Sequence, residues 1–161
     1  MAQAHSYKTL TPTTALLDPA IANFFAAFYA ASDTATEEGH HGAYVEYFTP
    51  EAVLVMASKR AVGSSEILET RKGMWRAVES RLHTPRRIFV TGDEKKEDGH
   101  EVEVMLYGEV EYGFREGAGR AAVDWSARAI LVRDAEVAAN EGWRMRFYQV
   151  YLDTAAMKPA K

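Results

Sequence analysis

The amino-acid sequence predicts an α+β fold in which three N-terminal helices pack on one face of a curved antiparallel sheet. Apolar residues recur at helical spacing through the first half of the chain. After residue 82 the pattern changes to long runs rich in Val, Tyr, Phe and Trp, joined by segments holding glycine and charge. Helices segregated ahead of strands indicate an α+β rather than a doubly wound arrangement. A sheet curved around three helices forms a cone-shaped barrel, filled at its narrow end and able to hold a pocket at its wide end.

Asp18-Pro19 opens the first helix: Asp caps free N–H groups, and Pro fits a first turn that needs no donor. Ile21, Phe24, Phe25, Phe28 and Tyr29 follow at helical spacing, and the helix ends near Asp33. A polar connection over 34–41 leads to a short second helix carrying Ala43, Tyr44, Tyr47 and Phe48, stopped by Thr49-Pro50. Residues 53–56 form a β-branched strand. Gly63-Ser64-Ser65 opens the third helix, with Ile67, Leu68, Met74, Trp75, Val78 and Leu82 on one face. Strands are expected over 87–91, 101–112, 121–132 and 143–153, and their long hairpin arms make neighbours antiparallel. The domain is expected to span 14–154, between tails at 1–13 and 155–161.

Composition narrows the function. The 161 residues suit one domain, and 19 Lys+Arg against 23 Asp+Glu give a net charge of −4 with no basic run, so no nucleic-acid partner is expected. With no cysteine, disulfides, thiolate ligands and a cysteine nucleophile are excluded. Residues 1–8 are polar, and the apolar stretch 15–31 is short and carries Asp18, Pro19 and Asn23. The expectation is a soluble cytoplasmic protein without a membrane span. Gly117-Ala118-Gly119 falls in a hairpin and no Gly-x-Ser-x-Gly elbow is present, so no nucleotide cofactor is expected. Adjacent His40-His41 lacks a recurring third ligand, so no metal is expected either.

The informative signals are polar residues where the pattern calls for apolar ones. Arg71 sits in the middle of the third helix's apolar face beside Trp75; it either pairs with an interior acid, snorkels, or lines a pocket. Asp33 lies four residues after Tyr29 at the end of the first helix, where the dipole disfavours an anion unless a partner such as Arg71, or a role as a base, holds it. His83 directly follows the third helix, and its type suits general acid–base work. On the strand at 121–132, Val123, Trp125, Ala127, Ala129 and Leu131 form one face; Asp124, Ser126, Arg128 and Ile130 form the other. The last strand alternates Trp143, Met145, Phe147, Gln149 and Tyr151 against Arg144, Arg146, Tyr148, Val150 and Leu152. Large apolar residues along one face of both strands point to a sheet-to-sheet homodimer.

Several local stretches carry a resemblance: a first helix ending in Ser32-Asp33, FTPEAVLVMAS from Phe48, GSSEIL opening the third helix and ESRLHT closing it, and WSARAILV with GWRMRFYQVYLD at the end of the sheet. In this order they resemble the nuclear-transport-factor-2-like superfamily, specifically its SnoaL-like and scytalone-dehydratase-like members, over about residues 16–153. The chain looks most like small fungal proteins of that group found in secondary metabolism. The resemblance implies a cone-shaped α+β barrel, frequent dimerisation, no cofactor, and a pocket for a small hydrophobic molecule. Carried onto this chain, the scytalone dehydratase aspartate falls on Asp33, one histidine on His83 and the serine on Ser126. The chain departs from that pattern elsewhere. One tyrosine position holds Ser32, the other falls near Met56 or Ala57, and the asparagine position is Arg128. The second histidine has no match, Tyr107 being the nearest polar residue.

The function expected is a cofactor-independent isomerase, cyclase or dehydratase acting by proton transfer on a small carbonyl compound, polyketide- or terpenoid-like. Asp33 and His83 would move protons; Arg128, with Arg71 and Tyr107, would stabilise the enolate. Tyr29, Met56, Trp75, Asp124, Ser126 and Tyr148 complete the expected substrate contacts. The alternative is a non-catalytic ligand-binding or dimeric interaction module of the same fold.

Overall fold

The computed structural model describes residues 17–35, 41–90 and 101–157. The element order is α1 (Pro19–Asp33), α2 (His41–Val45), β1 (Phe48–Met56), β2 (Lys59–Val62), α3 (Gly63–Met74), β3 (Val78–Val90), β4 (Glu101–Phe114), β5 (Arg120–Arg133) and β6 (Trp143–Leu152). His5, His40, His100, the 1–13 tail and the loop at 91–100 lie outside the described residues.

The expected opening of α1 is present: Pro19 takes its first turn and the Asp18 side chain accepts from Ala20 N at 2.9 Å. Its apolar face is wholly buried, with Phe24, Phe25, Phe28 and Tyr29 at 0–1% exposure. Against it pack Leu54, Val104, Leu106, Leu131 and Met145, with small Ala127 and Ala129 in the same cluster. At 1.5–3 kcal/mol or so for each large side chain, this burial is the main stabilising contribution of the domain.

Six strands make one sheet in the order β2-β1-β6-β5-β4-β3. Four of the five neighbouring pairs are antiparallel, but β1 runs parallel to β6, so the sheet is mixed rather than antiparallel throughout. The expected stop of the second helix at Thr49-Pro50 is also corrected: α2 ends at Val45 and β1 starts at Phe48. Pro50 is tolerated because the β1–β6 register shifts between Phe48 and Val53, leaving Pro50 out of the ladder.

The larger correction concerns α3, which ends at Met74, next to Gly73, rather than at Leu82. Residues 78–90 are a strand. The β3–β4 register slips between Val78 and Ser80 and again between Pro85 and Arg87. Each bulge adds a residue and turns the following side chains to the other face. Buried positions therefore fall at Val78, Arg81, Pro85 and Ile88, a spacing of three and four that imitates a helix.

Candidate active site

Two elements bring the polar residues together. Asp33 ends α1, and Arg81 and His83 stand two residues apart on β3, alongside that helix end. The Asp33 carboxylate takes both N–H groups of His83: the main-chain N donates to Oδ2 at 2.7 Å, and ring Nδ1 donates to Oδ1 at 2.5 Å. A carboxylate only accepts, so Nδ1 carries the proton and Nε2 carries the lone pair. Arg81 Nε lies 3.7 Å from the same Oδ1. All three side chains are withdrawn from solvent, with Asp33 and Arg81 at 5% and 6% exposure and His83 at 14%. Burial lowers the His83 imidazole below the ordinary histidine value and Asp33 opposes it; Arg81 and Arg71 lower it further.

This group forms part of the wall of a cavity of about 740 Å³, a size that fits a small organic ligand. Its inner wall is aromatic, with Phe28, Tyr29, Tyr44, Tyr112, Trp125 and Tyr148 around His83. The Tyr29 ring lies against the imidazole at 4.9 Å between centroids, and Trp125 meets it edge-on at 5.7 Å. The cavity is also lined by Met56, Ala57, Ser58 and Lys59 where β1 turns into β2, by α3, and by Thr154 and Met157 beyond β6. Deep in the cavity the hydroxyls of Tyr29 and Tyr148 hydrogen-bond at 3.0 Å. Burial raises both tyrosines well above the ordinary phenol value, so each stays a neutral O–H donor.

No family model matches the sequence, and no curated protein sequence matches it. Among solved structures, the chain superposes on nuclear transport factor 2 from Cryptosporidium parvum with a TM-score of 0.60 at 14% identity, over 81% of this chain and 90% of that one. The chain has the nuclear-transport-factor-2-like fold. Other structures with this fold come as near or nearer. A Novosphingobium aromaticivorans protein assigned as a scytalone dehydratase gives 0.69 at 13% identity, covering 88% and 91%. The hexachlorocyclohexane dehydrochlorinase LinA-type3 from Novosphingobium barchaimii gives 0.65 at 11%, covering 84% and 85%.

On this nuclear-transport-factor-2-like cone the expected site residues separate. Asp33 and His83 are together, and Tyr29, Met56 and Tyr148 line the same cavity. Arg128 is elsewhere. It stands on the outer face of the sheet, paired with Glu103 and stacked at 5.0 Å on Phe147. Tyr107, Asp124 and Ser126 border a separate depression with Arg86 and Tyr151. Alternation along β5 puts Asp124 and Ser126 opposite Trp125 and Ala127, which face the core. Arg71 and Trp75 are buried without lining the cavity. Arg71 bonds to main-chain carbonyls at the end of α1 rather than to Asp33.

Arg81 and the facing tyrosines Tyr44 and Tyr112 were not foreseen as site residues. Arg81 was hidden by the bulges that gave β3 a helical period, although Arg81 and His83 at i and i+2 were readable once the segment is a strand. Tyr148 reaches the cavity through another bulge: Ile130 pairs with Phe147 and Leu131 with Met145, so Arg146 is the extra residue. The inner face of β6 is therefore Trp143 and Met145, then Tyr148 and Val150. Among the described residues no group of three His, Asp or Glu side chains could hold a metal ion, and no helix is long and apolar enough to cross a membrane.

Proposed function

We propose that the protein is a cofactor-independent acid–base enzyme acting on a small, largely hydrophobic carbonyl compound, as an isomerase, cyclase or dehydratase. The observation that carries this reading is the Asp33–His83 dyad in the wall of an aromatic cavity. His83 Nε2 takes a proton from the carbon next to the carbonyl, and Asp33 steadies the imidazolium that results. The C–H electron pair moves into the C–C bond, and the carbonyl π pair moves to oxygen. The Tyr29–Tyr148 pair spends one O–H on itself, and the other donates to the developing enolate oxygen. Return of the proton to a different carbon isomerises the compound; loss of a leaving group from the next carbon makes the step an elimination. Two neighbours in fold are named for eliminations, a dehydratase and a dehydrochlorinase, which favours this chemistry. The ring-lined wall fits a flat polyketide- or terpenoid-like skeleton.

The test needs no knowledge of the natural substrate. Small aromatic and cyclic ketones with acidic C–H bonds are incubated with the protein in deuterium oxide, and uptake of deuterium is followed by NMR. Catalysed exchange that falls on the order of 10²–10⁴-fold in His83→Ala supports the assignment. Ligands that bind in the cavity without any catalysed exchange would instead favour the non-catalytic carrier.

The outer face of the sheet carries exposed Phe89, Tyr107 and Tyr151, with Phe89 stacked on Tyr107 at 6.1 Å. Ion pairs of both signs border them, Arg128–Glu103 and Arg146–Glu101. A face that is both apolar and charge-balanced suits a second copy of this chain, and we propose that it forms a homodimer.

A further inference from the structure

Arg71 takes no part in the chemistry above. It is 1% exposed and lies behind the cavity wall, and what it touches is the end of α1. The last turn of an α-helix leaves carbonyl oxygens without N–H partners, and α1 has no basic residue in its own last turn. Arg71 supplies donors from α3: Nη1 donates to Ser32 O at 2.6 Å, and Nη2 to Ala31 O at 3.1 Å and Thr34 O at 2.8 Å. Arg81 donates to the same Ser32 carbonyl from β3. The Trp75 ring lies 5.0 Å from the Arg71 guanidinium and 4.7 Å from that of Arg81, and Tyr44 takes Arg71 at 5.0 Å.

Two guanidiniums on one carbonyl make little sense for stability alone. Like charges repel strongly where water is scarce, and burial together with Arg81 pulls Arg71 down to about 10. A neutral amide, with two N–H donors, could cap two of these carbonyls without adding charge. The residue that gains from the second positive charge is Asp33, which sits at the negative end of the α1 dipole, the wrong end for an acid.

We propose that Arg71 is a positioning residue for the Asp33–His83 dyad, acting from behind the cavity through the end of α1. The inference rests on the function proposed above and deepens it. Among the described residues, the titratable and charged groups around His83 are Asp33 and Tyr29 from α1, Tyr44 from α2, Arg71 from α3, Arg81 on β3, Tyr112 from β4 and Tyr148 from β6. The tyrosines are held neutral by burial. Arg71 and Arg81 therefore favour the neutral imidazole and Asp33 favours the charged one.

The two parts of Arg71's action, charge and geometry, can be separated by NMR titration of the histidines in the full chain. The spectra read the protonation midpoint of His83 and the proton it shares with Asp33. Arg71→Gln keeps donors for the α1 carbonyls and removes the charge, so the His83 midpoint moves up. Arg71→Lys keeps the charge and loses the fork, so Asp33 is held less firmly. The midpoint then moves down, and the Nδ1–H signal weakens through exchange with water. Opposite shifts are the signature of a positioning role that a merely structural one would not produce. The proposal is overturned if both variants leave the midpoint and the Nδ1–H signal unchanged, if both move the midpoint the same way, or if neither variant folds. A wild-type chain with no Nδ1–H held by Asp33 would contradict the dyad as well, and so the function above; the two failures are distinguishable.

Discussion

His83 is gripped twice by one carboxylate, through its main chain and through its ring. That grip fixes the ring's orientation and its tautomer before any ligand arrives. Burial makes the imidazole a weaker base than a free histidine, which has consequences in two measurements. Turnover that depends on neutral His83 persists as pH falls through the ordinary histidine value of about 6.5 and drops only below it. Stability follows the same sign. The folded protein binds fewer protons at His83 than the unfolded chain, so unfolding free energy falls as pH is lowered from about 6.5 toward the depressed folded value. Urea midpoints taken across this window check it, with His83→Gln flattening the slope; an unchanged slope would mean that His83 does not titrate differently in the folded state. Tyr29→Phe and Tyr148→Phe each remove one hydroxyl from the buried pair. Either should cost on the order of 10²–10³-fold in deuterium exchange if the pair holds the enolate oxygen.

At the scale of elements, the helix at α1 was fully legible: cap, proline and apolar stripe all speak for the same residues, and Asp18→Ala should cost about 1 kcal/mol in thermal unfolding. The long strands β4, β5 and β6 were legible for the same reason. Besides the end of α2, the short β2 and the parallel β1–β6 pairing, what was not legible comes down to bulges. Two in β3 give its buried residues a helical spacing, so the segment carrying Arg81 reads as the continuation of α3. One in β6 reverses the face of Tyr148. A bulge is fixed by pairing with another strand, and a pattern read along one segment has no access to it. Asp33 and His83 were still singled out, Asp33 as an acid at a helix C-terminus and His83 as a histidine at the start of the sheet, and the structure puts them in contact. Arg128 was misplaced for a different reason: alternation separates the two faces of β5 but does not say which face the pocket takes. Gly108 on β4 shows how closely the two long hairpins fit. A Cβ there would stand 2.9 Å from Pro85 Cα and 2.9 Å from the Trp125 ring. Gly108→Ala should therefore lower the unfolding midpoint and disturb the Trp125 fluorescence, since the backbone of β3 cannot yield as a side chain can.

At the scale of the whole molecule, the proposed chemistry and the proposed dimer contact fall on opposite sides of one sheet. The inner face, closed by three helices, holds the cavity, Asp33 and His83; the outer face holds Arg128, Tyr107, Asp124 and Ser126. If the outer face is a dimer contact, Phe89→Glu combined with Tyr107→Glu yields a monomer by sedimentation equilibrium, with the fold intact; a wild-type chain that is already monomeric contradicts that arrangement. The most direct measurement for the central claim compares Asp33→Asn, His83→Ala and Arg128→Ala in the same deuterium-exchange assay. The two inner-face variants should lose on the order of 10²-fold or more while Arg128→Ala keeps the wild-type rate. Loss of exchange in Arg128→Ala, with Asp33→Asn and His83→Ala unaffected, would contradict that claim.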